Sequence, residues 1–217
     1  MDMADLSARP HYVKHHFADA EQQRESAKFG MWIFLVTEVL LFGGLFVAYA
    51  IFRAWNPEIF HNAHTALDWR MGALNTIVLI TSSLTVALAI RSLQLDRPKV
   101  AARLLWTTLF LAATFMVVKY FEYAHKFHLG QLPGKYYTYT GIEGTNPHVF
   151  FSIYFTMTGL HGIHVLIGMG VILWMIVRTK RGDFGKLYYT PVEVTGLYWH
   201  LVDLIWIYLF PLLYLVG

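Results

Sequence analysis

Apolar residues occur along this chain in five long blocks that are separated by polar segments. Each block holds the roughly 20 mostly apolar residues that a helix needs to cross a bilayer. The blocks cover residues 29–52, 71–93, 103–122, 149–177 and 196–216. Pairs that break helices, such as Asn56-Pro57 and Asn146-Pro147, lie between the blocks. The pattern predicts an all-α integral membrane protein, with a polar tail at residues 1–28 and a bundle of five transmembrane helices at residues 29–217.

Lysine and arginine residues are distributed unevenly between the two sides of the predicted bundle. Most of the 17 lie in the tail, in the second connection and in the fourth connection, which are on the same side. Because loops rich in lysine and arginine stay on the cytoplasmic side, the N-terminus is predicted to be cytoplasmic and the C-terminus outside. The long outer connection at residues 123–148 is expected to be a solvated loop, with a docking surface as the alternative.

Composition agrees with a membrane protein and excludes several classes of site. Charged residues make up 14% of the chain, against about 25% in soluble domains. With zero cysteines there is no disulfide, no thiolate metal site and no cysteine nucleophile. The formal charge of +3 gives no reason to expect a nucleic-acid partner.

Ionisable side chains inside the apolar blocks are the candidate functional residues, because a charge near mid-bilayer costs at least about 2.5 kcal/mol unless it has a partner. Glu38 lies about 13 Å deep in a hydrocarbon core of about 30 Å, at a helical rise of 1.5 Å per residue. His164 is near the middle of the fourth block, so the two side chains are expected to meet at mid-depth. His161 lies one turn from His164 on the same helix.

Two further pairs share a helix face. His200 and Asp203, at i and i+3, lie on the fifth predicted helix. Lys119 and Glu122 lie near the outer end of the third, where they are expected to form a local ion pair. Small residues near these sites favour close helix packing over a ligand role. The glycines concerned are Gly43, Gly44, Gly159 and Gly162.

A metal or haem site is the alternative interpretation of the histidines. Bis-histidine haem needs ligands from two helices, which His164 and His200 could supply, although their estimated depths differ. One HxxH motif is too little for a di-iron centre, so hydrogen-bonded structural histidines are the default expectation and no metal is predicted. A proton conduit through this chain alone is not favoured either, because its carboxylates lie at different depths on different helices.

Five segments that touch all five blocks resemble one protein family. They are FGMWIFLVTEVLLFGGLFVAYA (29–50), LNTIVLITSSLTVALA (74–89), KYFEYAHKF (119–127), TGLHGIHVLIG (158–168) and LYWHLVDLIWIYLFPLLYL (197–215). The chain closely resembles subunit III of the haem–copper terminal oxidases, in the short bacterial form with five spans. It lacks counterparts of the first two spans of the seven-span mitochondrial form.

The resemblance implies a non-catalytic subunit that packs against catalytic subunit I and other oxidase subunits, in the cytoplasmic membrane of a bacterium. The haems and copper would lie in those partners, with no cofactor in this chain apart from bound phospholipid. Glu38 matches the buried glutamate of the family. Subunit III is thought to stabilise the catalytic subunit, sustain its proton uptake and help oxygen reach it through lipid.

The electron donor and two other classes of protein stay open at this point. Glu38 within TEVLLF favours the cytochrome c branch, with a quinol oxidase as the alternative. The sequence also allows a stand-alone haem-binding electron-transfer protein, or a small transporter with a Glu–His site at mid-membrane.

Overall fold

Five long helices form the body of the molecule in a computed structural model that describes residues 12–142 and 146–216. They are listed with the bounds that the structure gives: α1 (Ala20–Trp55), α2 (Pro57–His64), α3 (Trp69–Gln94), α4 (Pro98–His128), α5 (His148–Arg181) and α6 (Thr190–Phe210). All except the short α2 are long and apolar enough to cross a membrane. The predicted all-α, five-span fold is therefore confirmed, while the orientation of its ends stays a prediction.

Helix ends differ from the predicted blocks in several places, and two of the extensions enter segments that were predicted to be a polar tail and a loop. Helix α1 begins at Ala20, where the carboxylate of Asp19 accepts a hydrogen bond from the Gln22 amide at 2.7 Å. The last third of the predicted polar tail, residues 20–28, is therefore helical, whereas residues 1–11 lie outside the described part of the chain. Helix α4 continues to His128, into the segment that was predicted to be a loop. Both extensions are polar turns that hydropathy alone assigns to solvent.

Proline and glycine residues set several of the remaining ends. Helices α2 and α4 begin at Pro57 and Pro98, where a missing N–H is no loss because the first amides of a helix have no partner in it. Helix α5 ends at Gly182, whose φ of 86° is left-handed. At Pro211 the α6 helix gives way to a π-helical segment, Pro211–Leu215. Helix α2 lies in the connection between the first two spans and was not predicted.

Helices α3 to α6 form the compact part of the bundle, and α1 lies at its edge. Helices α3 and α4 pack along their length as an antiparallel hairpin, and α6 contacts α1, α3 and α5. Helix α1 buries only Leu35, Phe42 and Tyr49, which are spaced seven residues apart and form one narrow seam. The Tyr49 hydroxyl donates a hydrogen bond to the Leu212 carbonyl at 2.7 Å. Helix α1 therefore leaves most of its apolar surface for lipid or another chain.

The glycines that allow close helix contact are not the ones that were predicted. A Cβ placed on Gly43, Gly44 or Gly162 would meet nothing within 4 Å, and one on Gly159 would meet only the Tyr123 hydroxyl, at 3.8 Å. The close contacts lie elsewhere, at Gly72, Gly168 and Gly196. These four glycines face outward or onto a groove of the described chain, and their packing role stays a prediction.

Gly168 and Gly162 offer a direct comparison on one helix. A Cβ on Gly168 would lie 2.7 Å from Trp199 Cζ3, and this indole is buried with its Nε1 donating to Ser82 Oγ at 3.0 Å. Gly168→Ala should therefore lower the free energy of unfolding by about 1–3 kcal/mol through overpacking. Gly162→Ala, the control, should leave it unchanged or raise it by up to about 1 kcal/mol. Heat-induced aggregation in mild detergent measures both, and equal behaviour of the two variants would contradict the packing described.

Candidate functional site

Glu38 and His164 join the peripheral helix α1 to helix α5. Glu38 Oε2 lies 2.8 Å from His164 Nε2, and their side chains are 13% and 12% exposed. On the far side of the ring, His164 Nδ1 lies 2.8 Å from the Leu160 carbonyl oxygen. The ring of Phe42, one turn further along α1, covers the imidazole with 5.3 Å between ring centroids. The pair therefore closes the seam between the two helices.

The geometry fixes how many protons this pair holds. A carbonyl oxygen can only accept, so His164 Nδ1 must donate to Leu160. The contact between Nε2 and Glu38 then carries one further proton, which belongs either to an imidazolium facing a carboxylate or to a carboxylic acid facing a neutral imidazole. Both forms are neutral overall, which is the condition under which ionisable groups are tolerated in a membrane. The pair can therefore hold one proton between two helices.

A second polar cluster joins α4, α5 and the C-terminal segment. Lys119 Nζ donates to Glu122 Oε2, to the Tyr154 hydroxyl and to the Tyr214 hydroxyl, each at 3.0 Å. Both tyrosine hydroxyls in turn donate to Glu122 Oε1, at 2.7 Å and 2.6 Å. We call these four residues the lysine cluster. The predicted ion pair is present, but it is buried in the bundle, with Lys119 6% and Glu122 4% exposed.

Lys126 adds a further buried cation beside the lysine cluster. It is 2% exposed, and its Nζ lies 5.2 Å from the ring centroid of Tyr154 and 5.8 Å from that of Phe151. Cation–π contacts of this kind are stronger when the cation is removed from water. Lys126 lies in the segment that was predicted from the sequence to be an outer loop. The roles of Tyr154 and Tyr214 could not be predicted, because tyrosines near span ends are typical of the membrane interface.

His200 and Asp203 do not form a pair with each other among the described hydrogen bonds. His200 Nδ1 lies 2.5 Å from Ser83 Oγ on α3. Asp203, 5% exposed, lies beside the same serine, and its Oδ1 has no hydrogen-bond partner in the described residues. The two residues share a face of α6, but both are directed toward α3. Their functional role stays a prediction.

His161 departs from the expectation of a hydrogen-bonded histidine. It is fully buried, between the rings of Phe115 and Trp206 at centroid distances of 5.6 Å and 5.2 Å. Neither of its ring nitrogens has a hydrogen-bond partner among the described residues. The amide of Asn75 on α3 is equally buried and equally without a partner. These two side chains are polar groups for which the bundle itself supplies no partner.

Two apolar grooves flank α1. One, of about 580 Å³, lies toward α6 and is lined by Phe46, Tyr49, Arg53, Tyr208 and Leu212 among others. The other, of about 450 Å³, lies toward α5 and includes Leu45, Phe52, Ser152 and Met157. In the described ranges no group of three or more His, Asp or Glu residues has the arrangement of a metal site. The arrangement is that of helix seams and open apolar grooves, with no catalytic site evident in the described chain.

A bundle of apolar helices with neutralised polar seams defines a multi-pass membrane protein, and comparison with known proteins gives its class. The model of the family described as cytochrome c oxidase subunit III matches residues 3–217. The chain belongs to this family, and the resemblance seen in the sequence is confirmed. It is therefore a subunit III of a haem–copper oxidase, of the cytochrome c or the quinol type.

Relatives from three organisms illustrate the range of the family. Cytochrome c oxidase subunit 3 of Thermostichus vulcanus is 34% identical over 192 residues, which are 86% of each chain. A haem–copper oxidase subunit I+III of Aeropyrum pernix is 30% identical over 214 residues, which are 95% of this chain but 24% of that one. A probable quinol oxidase subunit 3 of Staphylococcus aureus is 26% identical over 195 residues, covering 89% of this chain and 90% of the relative.

The lysine cluster should be the most sensitive polar contact in the bundle. Lys119→Met leaves the Glu122 carboxylate buried without its cation, which should lower the free energy of unfolding by about 3–5 kcal/mol. Adding Glu122→Gln removes that charge and keeps an acceptor for both tyrosine hydroxyls, so the double variant should recover more than half of the loss. The amount of folded protein in the membrane and its heat stability in detergent measure this.

Lys28→Met is the matched control, because Lys28 pairs with Glu193 at 2.9 Å in a partly exposed position at the other end of the bundle. Its loss should cost no more than about 1 kcal/mol. If Lys119→Met were as mild as Lys28→Met, the cluster would not carry the stability assigned to it.

Proposed function

We propose that this chain is the non-catalytic subunit that packs against catalytic subunit I of a respiratory oxidase in the cytoplasmic membrane of a bacterium, with its N-terminus in the cytoplasm. Haems and copper lie in the partner subunits. The chain stabilises subunit I, sustains its proton uptake, and helps oxygen reach it along bound phospholipid. Cytochrome c is the preferred electron donor, with quinol as the alternative.

The single observation that carries this function is the match of the family over nearly the whole chain, residues 3–217. The Aeropyrum pernix relative supports the choice of partner, because its name gives subunits I and III as parts of one chain. Two domains joined in one polypeptide lie in the same membrane at high effective concentration, and a contact between them is then easily formed.

Helix α1 is the surface that we assign to the partner. Its seam with the bundle is one residue wide, and it exposes large apolar side chains such as Val36, Leu40 and Val47. Gly43 and Gly44 on the same helix meet nothing in this chain. Small residues allow membrane helices to approach closely, so this surface suits another helix better than it suits lipid alone.

The apolar grooves beside α1 support the lipid part of the proposal. They have volumes of about 580 Å³ and 450 Å³ and are lined mostly by aliphatic and aromatic side chains. Acyl chains fill spaces of this kind, and dissolved oxygen is an apolar solute that prefers them to water. The grooves therefore offer a route along α1 toward the proposed interface.

The Glu38–His164 pair fits a role during turnover because it holds a proton at the seam beside this interface. Its simplest alternative is a lock between α1 and α5 with no further role. The stand-alone haem protein gains no support, because His164 and His200, the two histidines considered as ligands, contact Glu38 and Ser83 instead. The family match gives no support to the alternative of a small transporter.

Purification of the tagged chain in mild detergent tests the assembly. A large haem-bearing protein should accompany it, and the spectrum should lose its haem bands once the partners are stripped away. A haem that stays with the isolated chain, or a chain that purifies alone and active, would contradict the proposal. Reduced cytochrome c and a quinol, offered separately to the complex, then distinguish the two donors by oxygen consumption.

Glu38→Gln separates a role in turnover from a purely structural lock. A glutamine side chain still hydrogen-bonds to His164, but its amide does not transfer a proton to or from the imidazole. We expect normal assembly and a severalfold shorter active lifetime during continuous oxygen reduction. Glu193→Gln, which removes a carboxylate from a partly exposed ion pair, is the control and should behave like the unchanged protein. If the active lifetime of Glu38→Gln is unchanged, the pair serves only to hold α1 against α5.

A further inference from the structure

His161 and Asn75 are the two polar side chains in the core for which the described bundle provides no hydrogen bond. Both are 0% exposed, and all four of their polar side-chain atoms lack a partner among the described residues. A buried donor or acceptor that has lost water without gaining a partner costs about 1–3 kcal/mol. A stable bundle is therefore expected to satisfy these groups with something other than its own side chains.

The two side chains lie at the same level of the bundle. On α6, Trp206 contacts the His161 ring on one side, and its Nε1 donates to Thr76 Oγ1, next to Asn75 in the chain, at 3.1 Å. The bond between Thr85 and Thr108, at 2.8 Å, sets the antiparallel register of α3 and α4. That register puts Asn75 opposite the turn of α4 that contains Phe115 and Lys119.

The N–H donors of Trp206 and Lys119, beside His161, are already used in other hydrogen bonds. The single N–H of Trp206 is donated to Thr76. The three N–H groups of Lys119 are donated to Glu122, Tyr154 and Tyr214. Phe115, on the other face of the imidazole, has no polar group to offer. Neither donor could turn to His161 without leaving its present buried acceptor unsatisfied.

The ligand that fits must both donate and accept. A neutral imidazole has one N–H and one lone-pair nitrogen, and the amide of Asn75 has donors on one atom and acceptors on the other. Water has both functions and is small, and buried waters typically make about three hydrogen bonds to groups of this kind. An anion could satisfy only the donors, and a metal ion only the acceptors.

A groove between α4 and α5 gives access and room beside these residues. It has a volume of about 370 Å³, against about 30 Å³ for one water molecule in the liquid. It extends from Phe127 near the outer end of α4 to Leu166, and Phe115, Lys119 and Gly162 line it. Phe115 and Lys119 thus border both the groove and the core around His161.

We propose that bound water joins His161 and Asn75 into one hydrogen-bonded network inside the bundle, next to the lysine cluster. This is a binding site for water at the level where α3, α4, α5 and α6 meet. It links the core helices through groups that apolar packing cannot satisfy. It does not depend on which partner subunits accompany the chain.

The sign of the stability change in apolar variants tests the site. Thermal aggregation is compared for His161→Phe, Asn75→Leu and the double variant, each in the protein as extracted from its membrane with the subunits that accompany it. If water bridges the two side chains, each single variant leaves the remaining polar side chain without part of its hydrogen bonding. The ratio of folded to aggregated protein should then fall about fivefold to tenfold. In the double variant the ratio of folded to aggregated protein should fall by less than the product of the two single decreases, because neither polar side chain is left to need a partner.

A dry pair gives the opposite result. If no water is bound, each apolar replacement removes an unsatisfied polar group, and the single variants should be more stable than the unchanged protein. Stabilised single variants would overturn the proposal, as would losses that combine as a simple product. Met157→Leu is the control for core perturbation, since Met157 is fully buried on α5 and the change conserves volume.

A second measurement holds even where a variant fails to assemble. An experimental density map of the unchanged protein, at a resolution that resolves ordered water, should contain a peak within about 3.5 Å of a His161 ring nitrogen and of the Asn75 amide. A well-ordered map in which neither side chain has such a peak would overturn the proposal.

Discussion

The constraint on which this structure depends is that a polar side chain inside the bundle must find its partner on another helix, because lipid supplies none. Lys119 on α4 reaches Tyr154 on α5 and Tyr214 beyond α6. Glu38 on α1 reaches His164 on α5. In lipid, apolar helix surfaces have little energetic preference for one relative position along each other. The directional polar contacts therefore fix the register of the helices.

The two seams differ in what they hold together. The lysine cluster lies within the compact part formed by α3 to α6 and is almost fully buried. The Glu38–His164 pair joins that part to α1, which otherwise contributes one narrow row of buried residues, the Tyr49 bond and the partly exposed Lys28–Glu193 ion pair. Helix α1 is therefore the element whose position depends most on a single polar pair, and it is also the one with the most apolar surface left uncovered. A partner that covers α1 would stabilise the seam.

The sequence predicted the five spans because hydropathy is a local property that needs no knowledge of neighbours. It also brought Glu38 and His164 to a common depth, since helical rise converts position into distance along the bilayer. It could not predict the tyrosines around Lys119, because the helices are apolar on all sides and periodicity does not say which face is inside. For the same reason the sequence does not distinguish Gly162 from Gly168, although only Gly168 faces Trp199.

The HxxH motif of α5, His161 to His164, shows how neighbouring polar residues can face different helices. His161 and His164 are one turn apart, yet a rotation of about 60° around the helix separates their directions, given about 100° per residue. One faces the core beside Trp206 and the other faces α1. The two histidines of one HxxH motif thus serve two different seams. Its i, i+3 spacing places one polar group in the interior and one at the edge, so that a single turn of α5 connects the compact core to the peripheral helix α1.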